Sequence, residues 1–105
     1  MKVYLYDSET EYDFDDMIND DDTDLETAIE EFYELSEEEG SFLGIITPDN
    51  RIIQFAYVDN NKWILDIPSK DNPQDFYQRE VNYDACVEII KSVFSGTSID
   101  EIKGP

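Results

Sequence analysis

The sequence predicts an α+β fold: an antiparallel sheet of four to five strands, in the order β-α-β-β-β-β-α, with two helices packed on one face. Three observations carry this. Apolar residues recur at helical spacing in two places, over 24–39 and again after Asn82. Between them lie short runs rich in Ile, Phe, Tyr and Val, punctuated by Pro-Asp-Asn and Asn-Asn, which is the pattern of a strand meander. Strands adjacent in sequence usually pair, and helices in such a fold gather on one side of the sheet. At 105 residues the chain makes a single domain around one core.

Lys2–Tyr6 alternates, with Val3 and Leu5 on one face and Tyr4 and Tyr6 on the other, so it reads as a strand. Residues 7–22 read as a long acidic connection, interrupted by Tyr12, Phe14, Met17 and Ile18. Connections of that length are usually functional or mobile. Thr23 and Glu26 have the spacing of a capping box, in which hydroxyl and carboxylate satisfy backbone donors reciprocally. Leu25, Ala28, Ile29, Phe32 and Leu35 then form one apolar stripe, and Gly40 is placed to stop the helix. Ser41–Thr47, Arg51–Asp59 and Lys62–Ile67 follow as strands, with Pro68 ending the third and Asp75–Val81 as a further candidate. Asn82 is a good N-cap for a second helix that buries Tyr83, Cys86, Val87, Ile90, Val93 and Phe94 and closes at Gly96. In the tail, Ile99 and Ile102 are spaced to dock against the sheet.

The formal charge is −20, but it is not evenly spread. Residues 1–50 hold eighteen acids against Lys2, whereas residues 51–105 hold nine acids against six bases. Acidity of this degree often accompanies disorder. Here 40% apolar and 13% aromatic residues, arranged periodically, argue for a folded chain. Histidine is absent and Cys86 is the single cysteine, which excludes an intrachain disulfide, a cysteine zinc site and His-activated nucleophiles. Cys86 falls on the apolar face of the second helix and is most simply a small core residue. No run approaches the roughly 18 apolar residues of a membrane span, and the N-terminus has no apolar signal region. The expected location is therefore the cytoplasm. Direct binding to nucleic acid or to anionic lipid is opposed by the charge.

The first helix carries Glu26, Glu30, Glu31, Glu34, Glu37, Glu38 and Glu39 without one lysine. Its like-charge pairs at i,i+4 each cost roughly 0.2–0.5 kcal/mol, and Glu37–Glu39 crowd the end whose partial charge is already negative. A chain that gives up local stability to keep one sign of charge points to a cationic partner. The plain alternative is a solvated face, but salt-adapted acidity covers whole surfaces, and the second half of this chain is nearly balanced.

Metal and catalytic readings are weaker. Asp20, Asp22, Asp24 and Glu31 match calcium-loop positions, but Leu25 stands where the sharp turn requires Gly, and the helix cap begins inside the supposed loop. Asp66 is the best single catalytic candidate, placed by alternation with Ile64 and opposite Trp63, Leu65 and Ile67. It has no partner motif, no glycine-rich phosphate loop accompanies it, and the chain reads as a non-enzyme with no cofactor or metal implied. Phe55, Tyr57, Trp63 and Phe76 are aromatic enough for a binding platform, though strand aromatics are more often core.

From Phe42 to Lys103 the chain resembles the immunity proteins that accompany bacterial polymorphic toxins. The residues concerned are FLGII, the PDNR turn, IIQF, KWILDIP with Trp63, the helix YDACVEIIKSVFSG ending at Phe94–Gly96, and the tail TSIDEIKG. The resemblance implies a non-catalytic inhibitor that binds a cognate toxin domain and blocks its active site. Many such domains are nucleases with basic clefts, which an acidic face would fit. The expected partner-binding residues are the charges Asp15, Asp16, Asp20, Asp21, Asp22, Glu30, Glu34, Glu37 and Glu38, with Tyr12, Phe14 and Met17 as apolar anchors. The protein is expected to act as a monomer or weak dimer. The alternative reading is a DNA-mimic inhibitor of a nucleic-acid-binding protein, of the anti-restriction or anti-CRISPR type.

Overall fold

Alternation along the strands decides the layers. In the computed structural model, which describes residues 1–16, 22–69, 71–72 and 74–103, every second residue of the strands at Lys2–Asp7 and Lys62–Pro68 is buried against helices and the rest face outward. The elements are β1 (Lys2–Asp7), β2 (Tyr12–Asp15), α1 (Leu25–Glu34), β3 (Phe42–Ile46), β4 (Ile52–Asp59), β5 (Lys62–Pro68), β6 (Phe76–Val81), α2 (Tyr83–Phe94) and the short α3 (Ile99–Lys103). The fold is α+β: a six-stranded antiparallel sheet, order β2-β1-β3-β4-β5-β6, with two main helices. The strand count is six rather than the expected four to five.

The additional strand, β2, lies inside what reads from sequence as an acidic connection. It pairs with β1 in the register Leu5 to Phe14 and Asp7 to Tyr12, so residues 8–11 are a tight turn rather than part of a long loop. The later turns follow their sequence chemistry. Asn50 (φ 65°) closes the β3–β4 turn, and Asn60 and Asn61 (φ 44° and 62°) form the left-handed pair between β4 and β5. β5 runs through Pro68, which lies opposite Phe76.

Helix α2 matches its expected limits. Asn82 Oδ1 accepts the Ala85 N–H at 2.8 Å, and Gly96 (φ 102°) ends the turn. Helix α1 does not. It ends at Glu34, five residues short of the expected limit, and its N-cap is Asp24, whose carboxylate accepts the Thr27 N–H at 2.8 Å. Thr23 does not cap, because its hydroxyl donates to Asp16 and its N–H to the Met1 carbonyl. Glu37–Glu39 and Gly40 therefore lie beyond the helix.

Val3, Leu5, Leu43, Ile45, Ile53, Phe55, Trp63, Leu65 and Ile67 bury one face of the sheet beneath α1 and α2. Phe32 joins the layers: its ring lies 4.8 Å from Trp63 and 6.0 Å from Phe55, and stacks on Tyr83 of α2 at 5.2 Å. Ile99 of α3 is buried in the same core, and Arg51 reaches Asp100 at 3.3 Å to hold that helix.

Candidate protein-binding surface

The N-terminal hairpin is bound to the end of α1 by one carboxylate. Asp7 is buried at the end of β1, and its oxygens accept from Ser36 Oγ (2.6 Å) and from the backbone N–H groups of Ser36 (3.0 Å), Glu9 (3.0 Å) and Thr10 (3.3 Å). Burial pushes this carboxyl up, but the Ser36 bonds and the two turn N–H groups outweigh it and hold Asp7 below the ordinary carboxylate value. The same bonds explain the early stop of α1: Ser36 is drawn toward Asp7, and Leu35 turns extended (ψ 130°). A second stitch, Ser41 Oγ to the Ser8 N–H at 2.9 Å, ties the turn to the start of β3. Within that turn Glu11 is left-handed (φ 57°), a strained conformation for a non-glycine residue.

Between hairpin and helix lies a cleft of about 300 Å³ with Leu5 and Leu35 on its apolar part, Tyr12 on the strand side and Glu31 and Glu34 on the helix side. Burial, then the nearby Glu34 and Glu30, raise the Glu31 carboxyl above its ordinary value. Burial, then the charges of Glu31 and Glu34, likewise raise the Tyr12 hydroxyl. Burial is the larger cause of both shifts, and the smaller part, from neighbouring glutamates, is negative charge that a cation entering the cleft would relieve.

Of the residues expected at the interface, Tyr12 (47% exposed) borders this cleft with Glu34, and Glu30, Glu37 and Glu38 are exposed nearby in the chain. Asp15 points to the other side of the sheet, opposite Tyr4. Asp22 is exposed and pairs with Lys2 at 3.6 Å and with the N-terminal ammonium at 3.8 Å. Asp16 is turned inward: it is 2% exposed, accepts the Val3 N–H at 3.0 Å and receives the Thr23 hydroxyl. Phe14 packs against the core. Met17, Asp20 and Asp21 lie outside the described residues. Phe55 and Trp63 are core, whereas Phe76 is 55% exposed.

Sequence reasoning missed Tyr33. It is 77% exposed on α1, on the helix surface shared with Glu26 and Glu30. Its spacing from those glutamates was the available signal: i+3 and i+4 neighbours share a face, and Tyr33 is out of step with the apolar stripe. Among the described residues, no lysine or arginine forms an ion pair with any glutamate from Glu26 to Glu39.

The described residues include no group of three or more His, Cys, Asp or Glu side chains placed to hold a metal ion. Burial pushes the Cys86 thiol up to about 12, so it is no nucleophile at neutral pH. No helix among the described residues is long and apolar enough to cross a membrane. No protein-family model, curated protein or solved structure matches the chain.

Proposed function

We propose that this protein is a non-catalytic immunity protein that binds and neutralises a cognate toxin domain with a basic cleft, such as a nuclease. The contact is made by α1, the acidic segment after it and the β1–β2 hairpin. The observation that supports this is the glutamate face of α1, which pairs with no base among the described residues, with two exposed tyrosines, Tyr12 and Tyr33, set among its charges. Aromatic anchors ringed by charge are the composition of an interface hot spot, in which the rings contribute affinity and the rim charges steer the encounter.

The length of α1 favours this over the DNA-mimic reading. Ten helical residues span about 15 Å and carry four glutamates, roughly one charge per 3.8 Å. That row is both shorter and sparser than the phosphates of a duplex, at about one per 1.7 Å. A small acidic patch with aromatic anchors suits a protein partner better than it imitates a nucleic acid.

The test is co-expression with any toxin domain found to be encoded by a neighbouring gene. The wild-type chain is expected to restore growth and to bind the purified domain with salt-sensitive association. The combined variant Glu30→Gln, Glu34→Gln, Glu37→Gln, Glu38→Gln should associate at least about tenfold more slowly at low salt. Growth arrest that this chain leaves unrelieved, with no complex in solution, overturns the proposal.

A further inference from the structure

The helices cover one face of the sheet, and no described element covers the other. Across the open face the register lines up Asp13, Tyr6, Phe42, Ala56, Ile64 and Glu80 in one row, an apolar stripe with an acid at each end. The next row runs Asp15, Tyr4, Gly44, Gln54, Asp66 and Gln78. Gly44 lets the Tyr4 ring lie across β3, since a Cβ there would come within 2.1 Å of Tyr4 Cζ. From that position Tyr4 Oη donates to Gln54 Oε1 at 3.0 Å, and its ring meets Phe42 edge-on at 6.1 Å. Tyr6 lies 6.1 Å from Phe42 on the other side. These rings are held in place by one another, so little side-chain order remains to be lost on binding.

Asp66 sits within this face, and its Oδ1 is buried without a hydrogen-bond donor among the described residues. A buried acceptor left unsatisfied costs stability, about 1–3 kcal/mol, which asparagine or threonine at this position would lessen. Burial, followed by the negative charges of Asp66 and Asp15, raises the Tyr4 hydroxyl above its ordinary value. Lys2 and Lys62 lie at strand ends on this side, and Lys2 is engaged with Asp22.

We propose that the open sheet face is a second docking surface for the same basic partner. An arginine-bearing segment would lay apolar side chains over Tyr6, Phe42 and Ile64 and give its guanidinium to Asp66 beside the Tyr4 ring. Arginine suits the site because its plane stacks on an aromatic ring while its N–H groups reach a carboxylate. Charge chooses this occupant over a second copy. Two such faces brought together would set Asp13, Asp15, Asp66 and Glu80 against their equivalents, in chains of −20 each. The helix-side surface and this one meet at β2, whose Tyr12 and Phe14 face the helices while Asp13 and Asp15 face the open side. The inference rests on the reading that the partner is cationic.

The experiment is a titration of the isotope-labelled full chain with a capped peptide of alternating arginine and valine, followed by amide chemical shifts. A glutamate–valine peptide is the control. Saturable shifts on Tyr6, Phe42, Ile64 and Asp66 are expected, with affinity lowered about fivefold or more by Asp66→Asn or Glu80→Gln. Asp66→Asn should leave the melting temperature unchanged or raised, which separates a binding role from a folding one. Shifts confined to α1 and Tyr12 overturn the open face as a site and leave the cationic reading standing. Absence of any shift overturns both. Concentration-dependent shifts on the open face without peptide overturn the proposal in favour of self-association.

Discussion

The two ends of the sheet are built alike and charged differently. At one end β1, β2 and α1 carry acids in every exposed turn, and the ion pairs there run from Lys2 and the N-terminus to Asp22. At the other end β4–β6, α2 and α3 mix the signs, as in Arg51 with Asp100 and Lys91 with Glu88 at 3.7 Å. Both ends rest on one core, joined where Phe32 meets Trp63 and Tyr83. The balanced end therefore shows what this fold requires of its surface, and the acidic end shows what it carries beyond that. The excess charge is no condition of folding, since crowded anions weaken a compact state.

The largest effect expected is on the shared core. Phe32→Ala should cost about 3–5 kcal/mol, read by urea denaturation, and both ends should unfold in one transition. Separate transitions for Trp63 fluorescence and for the hairpin would show two cooperative units instead of one. Next comes Asp7, the main tie between hairpin and helix. Asp7→Ala should cost about 2–3 kcal/mol, since it leaves several donors unmatched.

Acidity divides the two carboxylates by sign. The folded Asp7 carboxyl lies below its ordinary value of 3.8, so its stabilisation is complete above that value and is lost as pH falls through the folded one. Glu31 is the reverse: its folded carboxyl lies above the ordinary 4.5, so ionisation at neutral pH costs stability that protonation restores. Stability should thus rise as pH falls through the folded Glu31 value toward 4.5, and fall again as pH drops below 3.8 through the folded Asp7 value. Glu31→Gln should shrink the rise and leave the fall.

Smaller effects sharpen the contrast. Glu30→Gln relieves two like-charge pairs, with Glu26 and Glu34, and should stabilise by about 0.4–1 kcal/mol at low salt. Glu88→Gln at the balanced end breaks its pair with Lys91 and should gain nothing. Equal responses at the two ends would erase the distinction. Smallest is Glu11→Gly, which relieves the left-handed turn and should stabilise by about 0.5 kcal/mol after glycine's entropic cost.

The meander, its turns and α2 were legible because local rules and tertiary packing agree there. Asn50, Asn60, Asn61 and Asn82 each occupy a conformation their side chains favour, and Gly96 one that the lack of a Cβ allows. The hairpin was not legible. Tyr-Asp-Phe-Asp has alternation, but its outward residues are aspartates with poor strand propensity, and β1 supplies the pairing that overrides this. Of the candidate surface, the glutamates and Tyr12 could be read from the sequence. The inward turn of Asp16, the exposure of Tyr33 and the open acceptor of Asp66 could not, because each depends on neighbours distant in the chain.

By itself, then, the sequence determined the class of fold, the buried faces of β1 and β5 and the concentration of negative charge in its first half. Periodicity and composition are local properties, and they survive whatever the chain does elsewhere. Tertiary structure alone decided which acids are structural and which are surface. Asp7 and Asp16 hold backbone and hydroxyl donors that folding brings within reach, while the glutamates of α1 meet no base among the described residues. A carboxylate's role follows from the donors around it, and residues far apart in sequence supply the ones that differ here.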